Sequence, residues 1–221
     1  MNFESNMRAV HYKVEQACRK WARDPKDVEI IAVSKKQPLE RVVEALENGH
    51  RVFGENIVQA AKATWGESGL KNKYPDVKLH LIGALQTNKV KDAVALFDSI
   101  QTVDRPSVID ALMKEVKKEN KTPEFFIQVN TGEEEQKAGV CPSELPRLLD
   151  YAREKEMKIS GLMCIPPFDE PSALHFIFLK KVAQKHGLGF LSMGMSSDYE
   201  KAITSGATHV RIGTELFGER T

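Results

Sequence analysis

The 221-residue sequence is poor in cysteine and has no charge excess. Cys18, Cys141 and Cys164 are an odd number without C-x-x-C spacing. That argues against a disulfide framework or a zinc knuckle and fits a reducing cytoplasm. The 32 Lys and Arg residues balance 31 Asp and Glu, for a net charge of +1. No bulk attraction draws such a chain to nucleic acid, so any anion it binds needs a local site. No apolar run reaches the ~18 residues of a transmembrane helix, and no membrane partner is expected. The N-terminus lacks the unbroken apolar core and small-residue cleavage site of a signal peptide.

What is present is a rhythm. A helical stripe of Met7, Val10, Val14, Cys18 and Trp21 occupies the first segment. Then eight apolar, strand-like runs follow: 28–34, 51–54, 78–83, 99–104, 124–130, 158–165, 190–195 and 209–213. Each is followed by helix or helix-like sequence, and their ends recur roughly every 25 residues. The stretches 38–49, 57–65, 90–96, 106–118, 143–155, 172–186 and 197–205 read as helices. Alternation of this kind builds a parallel sheet. Eight units favour an α/β fold of the closed (β/α)8 TIM-barrel type, with an open doubly wound sheet as the alternative. The expected organisation is a single domain, 1–221, in which residues 1–25 supply an extra N-terminal helix packed on the barrel.

Barrels of this type place their active site at the C-terminal strand ends. Here those ends carry Ser34-Lys35-Lys36, Gly54-Glu55-Asn56, Asp104-Arg105, Asn130-Thr131, Gly194-Met195-Ser196-Ser197 and Arg211-Ile212-Gly213-Thr214. The loops after strands seven and eight each set a glycine beside hydroxyls. Glycine lets backbone N–H groups approach an anion, and Ser196 or Ser197 can cap the next helix, so a phosphate-bearing ligand is expected there. The plain alternative is two ordinary turns and a cap. Lys35 and Lys36 end the first strand. Either is a solvated charge or an amine made nucleophilic by apolar walls and a neighbouring cation. Strand parity does not choose between them, because both faces of a barrel strand are buried. Arg211 sits inside the last strand, where a charge needs a ligand or an ion-pair partner such as Glu55, Asp104 or Glu215. His80, inside the third strand, is either a satisfied core histidine or a ligand.

Taken together, the strings A-V-S-K (32–35), G-E-N (54–56), H-L-I-G-A-L-Q-T-N-K (80–89), V-D-R (103–105), G-L-M-C-I-P-P (161–167), L-S-M-G-M-S-S-D (191–198) and V-R-I-G-T-E-L-F-G (210–218) resemble the pyridoxal phosphate homeostasis protein family. These proteins are relatives of the alanine racemase N-terminal barrel, the fold type III barrel for pyridoxal 5'-phosphate (PLP). The resemblance implies a Schiff base between PLP and Lys35. It implies phosphate binding near Met195, Ser196, Gly213 and Thr214, and an Arg211 facing the pyridine nitrogen. It also implies pocket roles for Asn56 and His80. An arginine does not usefully protonate that nitrogen, which weakens the ring as an electron sink and disfavours transamination.

Racemisation needs a second acid–base group on the opposite face. None of the four tyrosines, Tyr12, Tyr74, Tyr151 and Tyr199, ends a strand, and Tyr199 is the nearest. No racemase-like second domain is expected, so a monomer fits. The expected function is a PLP carrier and regulator of vitamin B6 balance, without metal, exchanging cofactor with PLP-dependent apoenzymes. The alternatives are a small PLP-dependent racemase or decarboxylase and, further off, a cofactor-free aldolase.

Overall fold

The computed structural model describes residues 2–218. Its strands are short and rich in β-branched and aromatic residues, as in the Ile30-Ile31-Ala32-Val33 run. They are β1 (Glu29–Val33), β2 (Val52–Glu55), β3 (Lys78–Leu81), β4 (Ser99–Val103), β5 (Glu124–Val129), β6 (Ile159–Cys164), β7 (Phe190–Met195) and β8 (His209–Ile212). Each runs parallel to its neighbours, and β8 pairs with β1 through Glu29↔His209 and Ile31↔Arg211, which closes the barrel. The expected (β/α)8 architecture is therefore present.

The helices are α1 (Phe3–Arg19), α2 (Leu39–Glu47), α3 (Val58–Ala61), α4 (Leu70–Lys73), α5 (Val90–Leu96), α6 (Pro106–Glu119), α7 (Leu145–Glu154), α8 (Ser172–Lys185), α9 (Tyr199–Thr204) and α10 (Thr214–Phe217). Their apolar stripes face the outer side of the strands, where Phe53, Trp65, Leu79, Phe97, Phe125, Phe176 and Phe217 form one continuous core. Burial of such side chains contributes about 2 kcal/mol each. Helix α1 starts at Asn2, whose Oδ1 accepts from the Ser5 N–H, and it packs against α9 and α10. Arg23, just beyond it, donates to the carbonyls of Ile203 and Ala207.

The barrel interior differs in character. Ile31, Phe126 and Met163 are buried there apart from the outer core, among the equally buried His80, Gln101, Ser192, His209 and Arg211. Polar groups in that position persist only when hydrogen-bonded.

Two helices depart from expectation. The stretch 57–65 is not one helix: α3 passes into a π-type turn over Lys62–Glu67, and the short α4 follows. The wider turn carries Trp65 inward, where its Nε1–H donates to Glu55 at 3.3 Å. The helix after β7 begins at Tyr199, not Ser197, because a turn closed by Asp198 N–H to the Met195 carbonyl occupies the intervening residues.

Candidate functional site

At the end of β1 the chain makes a β-turn, closed at 3.0 Å by Gln37 N–H donating to the Ser34 carbonyl. Lys36 takes the left-handed conformation there, at φ +59°, and is exposed, whereas Lys35 is half-buried. The turn thus separates two lysines that sequence parity leaves equivalent. Beneath it, Glu55 is buried and accepts from Ser34 Oγ at 2.6 Å as well as from Trp65. Burial pushes the Glu55 carboxyl above its usual range, while the two hydrogen bonds and the Lys35 charge pull the other way. Glu55, Ser34 and Trp65 hold the lysine turn in place. The sequence offered a signal for this in the G-E-N string, where Glu55 stood out only as a possible ion-pair partner of Arg211.

Arg211 lies one strand away, inside the barrel on β8. Its Nη1 donates to Ser192 Oγ and its Nη2 to the Cys164 carbonyl, both at 2.8 Å. None of the expected ion-pair partners meets it. Glu55 serves the lysine turn, Asp104 pairs with Arg105, and Glu215 takes Lys13 and the Tyr199 hydroxyl. Burial lowers the pKa of Arg211 from its usual value, yet a guanidinium stays protonated in a protein. The interior therefore contains a cation held by neutral oxygens, a setting that favours an electron-rich ligand above it. Burial pushes the Cys164 thiol up to about 12, so it is neutral and unreactive.

The loops after β7 and β8 meet. Gly213 N–H donates to Ser196 Oγ at 3.3 Å. The β7–β8 register shifts between Ser192 and Met195, where Gly194 adopts φ +91°. Such bulges re-aim the residues that follow them. Met195 N–H donates to Asp198 Oδ1 at 2.7 Å, so the acceptor at the start of α9 is Asp198. Neither Ser196 nor Ser197 caps that helix, contrary to expectation. The first helical bonds of α10 run from Leu216 and Phe217 to the Gly213 carbonyl, which leaves the N–H groups of Thr214 and Glu215 outside the helix's own ladder.

Asn56 follows β2 and is half-buried, its backbone pressed so closely on Gly83 that a Cβ there would lie 2.1 Å from the Asn56 carbonyl oxygen. His80 sits lower. Its ring bonds Gln101 through Nδ1 and lines a cavity of about 840 Å³ at the N-terminal end of the strands, so it reaches Arg211 only through Gln101 and Ser192. Tyr199 is buried, and its hydroxyl donates to Glu215 at 3.1 Å. Burial and Glu215 raise its pKa well above the ordinary phenol value. On the rim, His175 joins Thr131 Oγ1 at 3.0 Å and Glu170 Oε2 at 3.1 Å, a cluster that a lone histidine within a helix does not announce.

Comparison with known proteins matches residues 6–221 to the family model described as alanine racemase, N-terminal domain. The pyridoxal phosphate homeostasis protein of Aquifex aeolicus is 38% identical over 230 residues, covering 100% of this chain and 99% of the relative. The structure of PipY from Synechococcus elongatus with PLP bound superposes with a TM-score of 0.79 at 34% identity, covering 93% of this chain and 100% of that one. An alanine racemase from Clostridium difficile shares the fold, with a TM-score of 0.74 at 11% identity, over 57% of its length.

Proposed function

The chain belongs to the pyridoxal phosphate homeostasis protein family, and we propose that it binds PLP at the barrel mouth and holds it reversibly in the service of vitamin B6 homeostasis. The observation that carries this reading is the buried Arg211, bonded on its inner side to Ser192 and the Cys164 carbonyl, one strand from the half-buried Lys35. PLP supplies an aldehyde that condenses with an amine, a pyridine nitrogen that accepts a hydrogen bond, and a phosphate dianion.

The residues present fit such a group. Lys35 offers the amine. Arg211 offers N–H donors toward the ring nitrogen and, having no proton to give up, keeps that nitrogen unprotonated. The Ser196 and Thr214 hydroxyls and the N–H groups of Thr214 and Glu215 suit the phosphate, with Met195 and Gly213 shaping the loops. Asn56 offers an amide beside the lysine turn. His80 acts from below rather than by touching the ligand.

Holding, rather than turnover, is supported by Tyr199. Its hydroxyl donates to Glu215 and its raised pKa keeps the proton on, so it does not act as the opposing base that racemisation needs. A carrier of this kind exchanges PLP with PLP-dependent apoenzymes, and we place it in the cytoplasm as a monomer. Among the described residues no helix is long and apolar enough to cross a membrane.

Spectroscopy tests the reading. Wild-type protein mixed with PLP is expected to gain a visible absorption band, and borohydride is expected to fix PLP to the peptide containing Lys35. Lys35→Ala should abolish both signals, and Lys36→Ala should retain them. A wild-type protein that takes up no PLP overturns the reading.

A further inference from the structure

Arginine has N–H donors and no acceptor, and that fixes the sense of the first hydrogen bond behind Arg211. Its Nη1 donates to Ser192 Oγ. The Ser192 hydroxyl proton then goes to Gln101 Oε1, at 2.6 Å. With its carbonyl oxygen engaged, the Gln101 amide presents Nε2 to His80 Nδ1, at 3.0 Å. An amide nitrogen only donates, so Nδ1 accepts. Burial, followed by the repulsion that a protonated His209 would exert, pulls the His80 pKa down to about 3. The ring is therefore neutral at physiological pH and carries its single proton on Nε2. That N–H faces Glu29 Oε1 at 3.6 Å, in the lower cavity.

The opposite orientation of the amide fails. It would fill both acceptor sites of the Ser192 oxygen, from Arg211 and from Gln101, and turn the Ser192 proton away from any acceptor on Gln101. Ser192 is fully buried, so its own proton would lose the Gln101 acceptor without water to replace it. All four residues of the chain are buried, and no solvent competes with these bonds.

We infer that Ser192, Gln101 and His80 form a one-directional hydrogen-bond relay that fixes the rotamer of Arg211 and connects the mouth of the barrel to the cavity at its other end. Gln101 and His80 are thus positioning residues. Their effect on the cofactor rests on the PLP reading above, whereas the relay itself is a property of the protein alone.

Nitrogen-15 NMR of histidine-labelled protein without cofactor tests the relay. In the wild type, His80 should show a protonated Nε2 and an unprotonated Nδ1. In Gln101→Glu the carboxylate accepts from both neighbours, so Nδ1 should gain a proton. A wild-type proton on Nδ1, or a tautomer indifferent to Gln101→Glu, overturns the relay. For positioning, Gln101→Leu should release PLP about tenfold faster, while His209→Gln, in the same cavity but off the relay, should release it at the wild-type rate. Equal release from Gln101→Leu and wild type overturns the positioning role. If Gln101→Leu does not fold, as its circular dichroism would reveal, Ser192→Ala, which removes the hydroxyl between Arg211 and Gln101, should release PLP faster than wild type, and equal release overturns the positioning role. Failure of the PLP reading would show separately, as absent uptake by the wild type with the NMR result intact.

Discussion

Acidification from pH 7 to pH 4 is expected to destabilise the fold steeply, by up to about 4 kcal/mol per pH unit at its steepest. The cause is three buried imidazoles. Burial lowers His50 to about 4, His80 to about 3 and His209 to about 4, against an ordinary value of 6.5. Below pH 6.5 the unfolded chain binds three protons that the folded chain refuses, so stability falls as pH falls. The contribution is complete above 6.5 and is lost progressively down to the folded values. Glu29, Glu55 and Glu124 act in the opposite sense. Burial raises each of them, so the folded chain takes up those protons before the unfolded chain does and gains stability as pH falls toward the ordinary carboxylate range. These glutamates offset part of the histidine loss, so about 4 kcal/mol per unit is the ceiling of the slope. Urea midpoints at pH 7.5, 6 and 5 measure the slope, and His50→Gln or His209→Gln should each reduce it by up to about 1.4 kcal/mol per unit. Midpoints that stay level from pH 7.5 to 5 would sink the argument.

The second large effect is expected from Gly194→Ala. Two costs combine at this residue. Its φ of +91° strains any L side chain, at roughly 1–2 kcal/mol. A Cβ would also lie 2.5 Å from Ala202 Cβ and 2.9 Å from Tyr199 Cα, and overpacking of that kind costs about 1–3 kcal/mol more. The sum is roughly 2–5 kcal/mol. Since α9 must retreat to relieve the contact, the turn at Met195–Asp198 moves with it, and PLP affinity should fall as well. Gly49→Ala is the matched control. Gly49 is also left-handed, at φ +84°, but nothing lies within 4 Å of its Cβ position, so strain alone, about 1 kcal/mol, is expected. Thermal melts of the two variants separate the terms, and equal losses would mean that the packing of α9 on Gly194 is not tight.

The barrel was legible in the sequence because eight apolar, strand-like runs, each followed by helix or helix-like sequence, leave little choice of architecture. The chemistry of its interior was less so. Gln101 and Ser192 stand within apolar runs and read as ordinary strand residues, and a period of two carries no information when both faces are buried. The choice of Lys35 over Lys36 became physical only through the left-handed turn at Lys36, which local spacing does not encode. Arg211 stood out correctly as a charge needing a partner. Its partners proved to be a hydroxyl and a backbone carbonyl, neutral oxygens that sequence does not single out and that leave the cation's charge uncompensated. The shifted start of α9 shows the same limit: Asp198 outcompetes the serines by bonding back to Met195.

Closure of the barrel through β1 and β8 also has a kinetic side. Lys35 lies in the turn just after the first strand, Arg211 in the last strand and Gly213 just after it, so the proposed PLP pocket forms only after the pairing with the greatest sequence separation. Loop-closure entropy makes such contacts slow. A partly folded chain would present most of the outer core but no cofactor seat. Uptake of PLP during refolding should therefore lag behind the recovery of helix, and the cofactor would serve as a reporter of the last step in assembly.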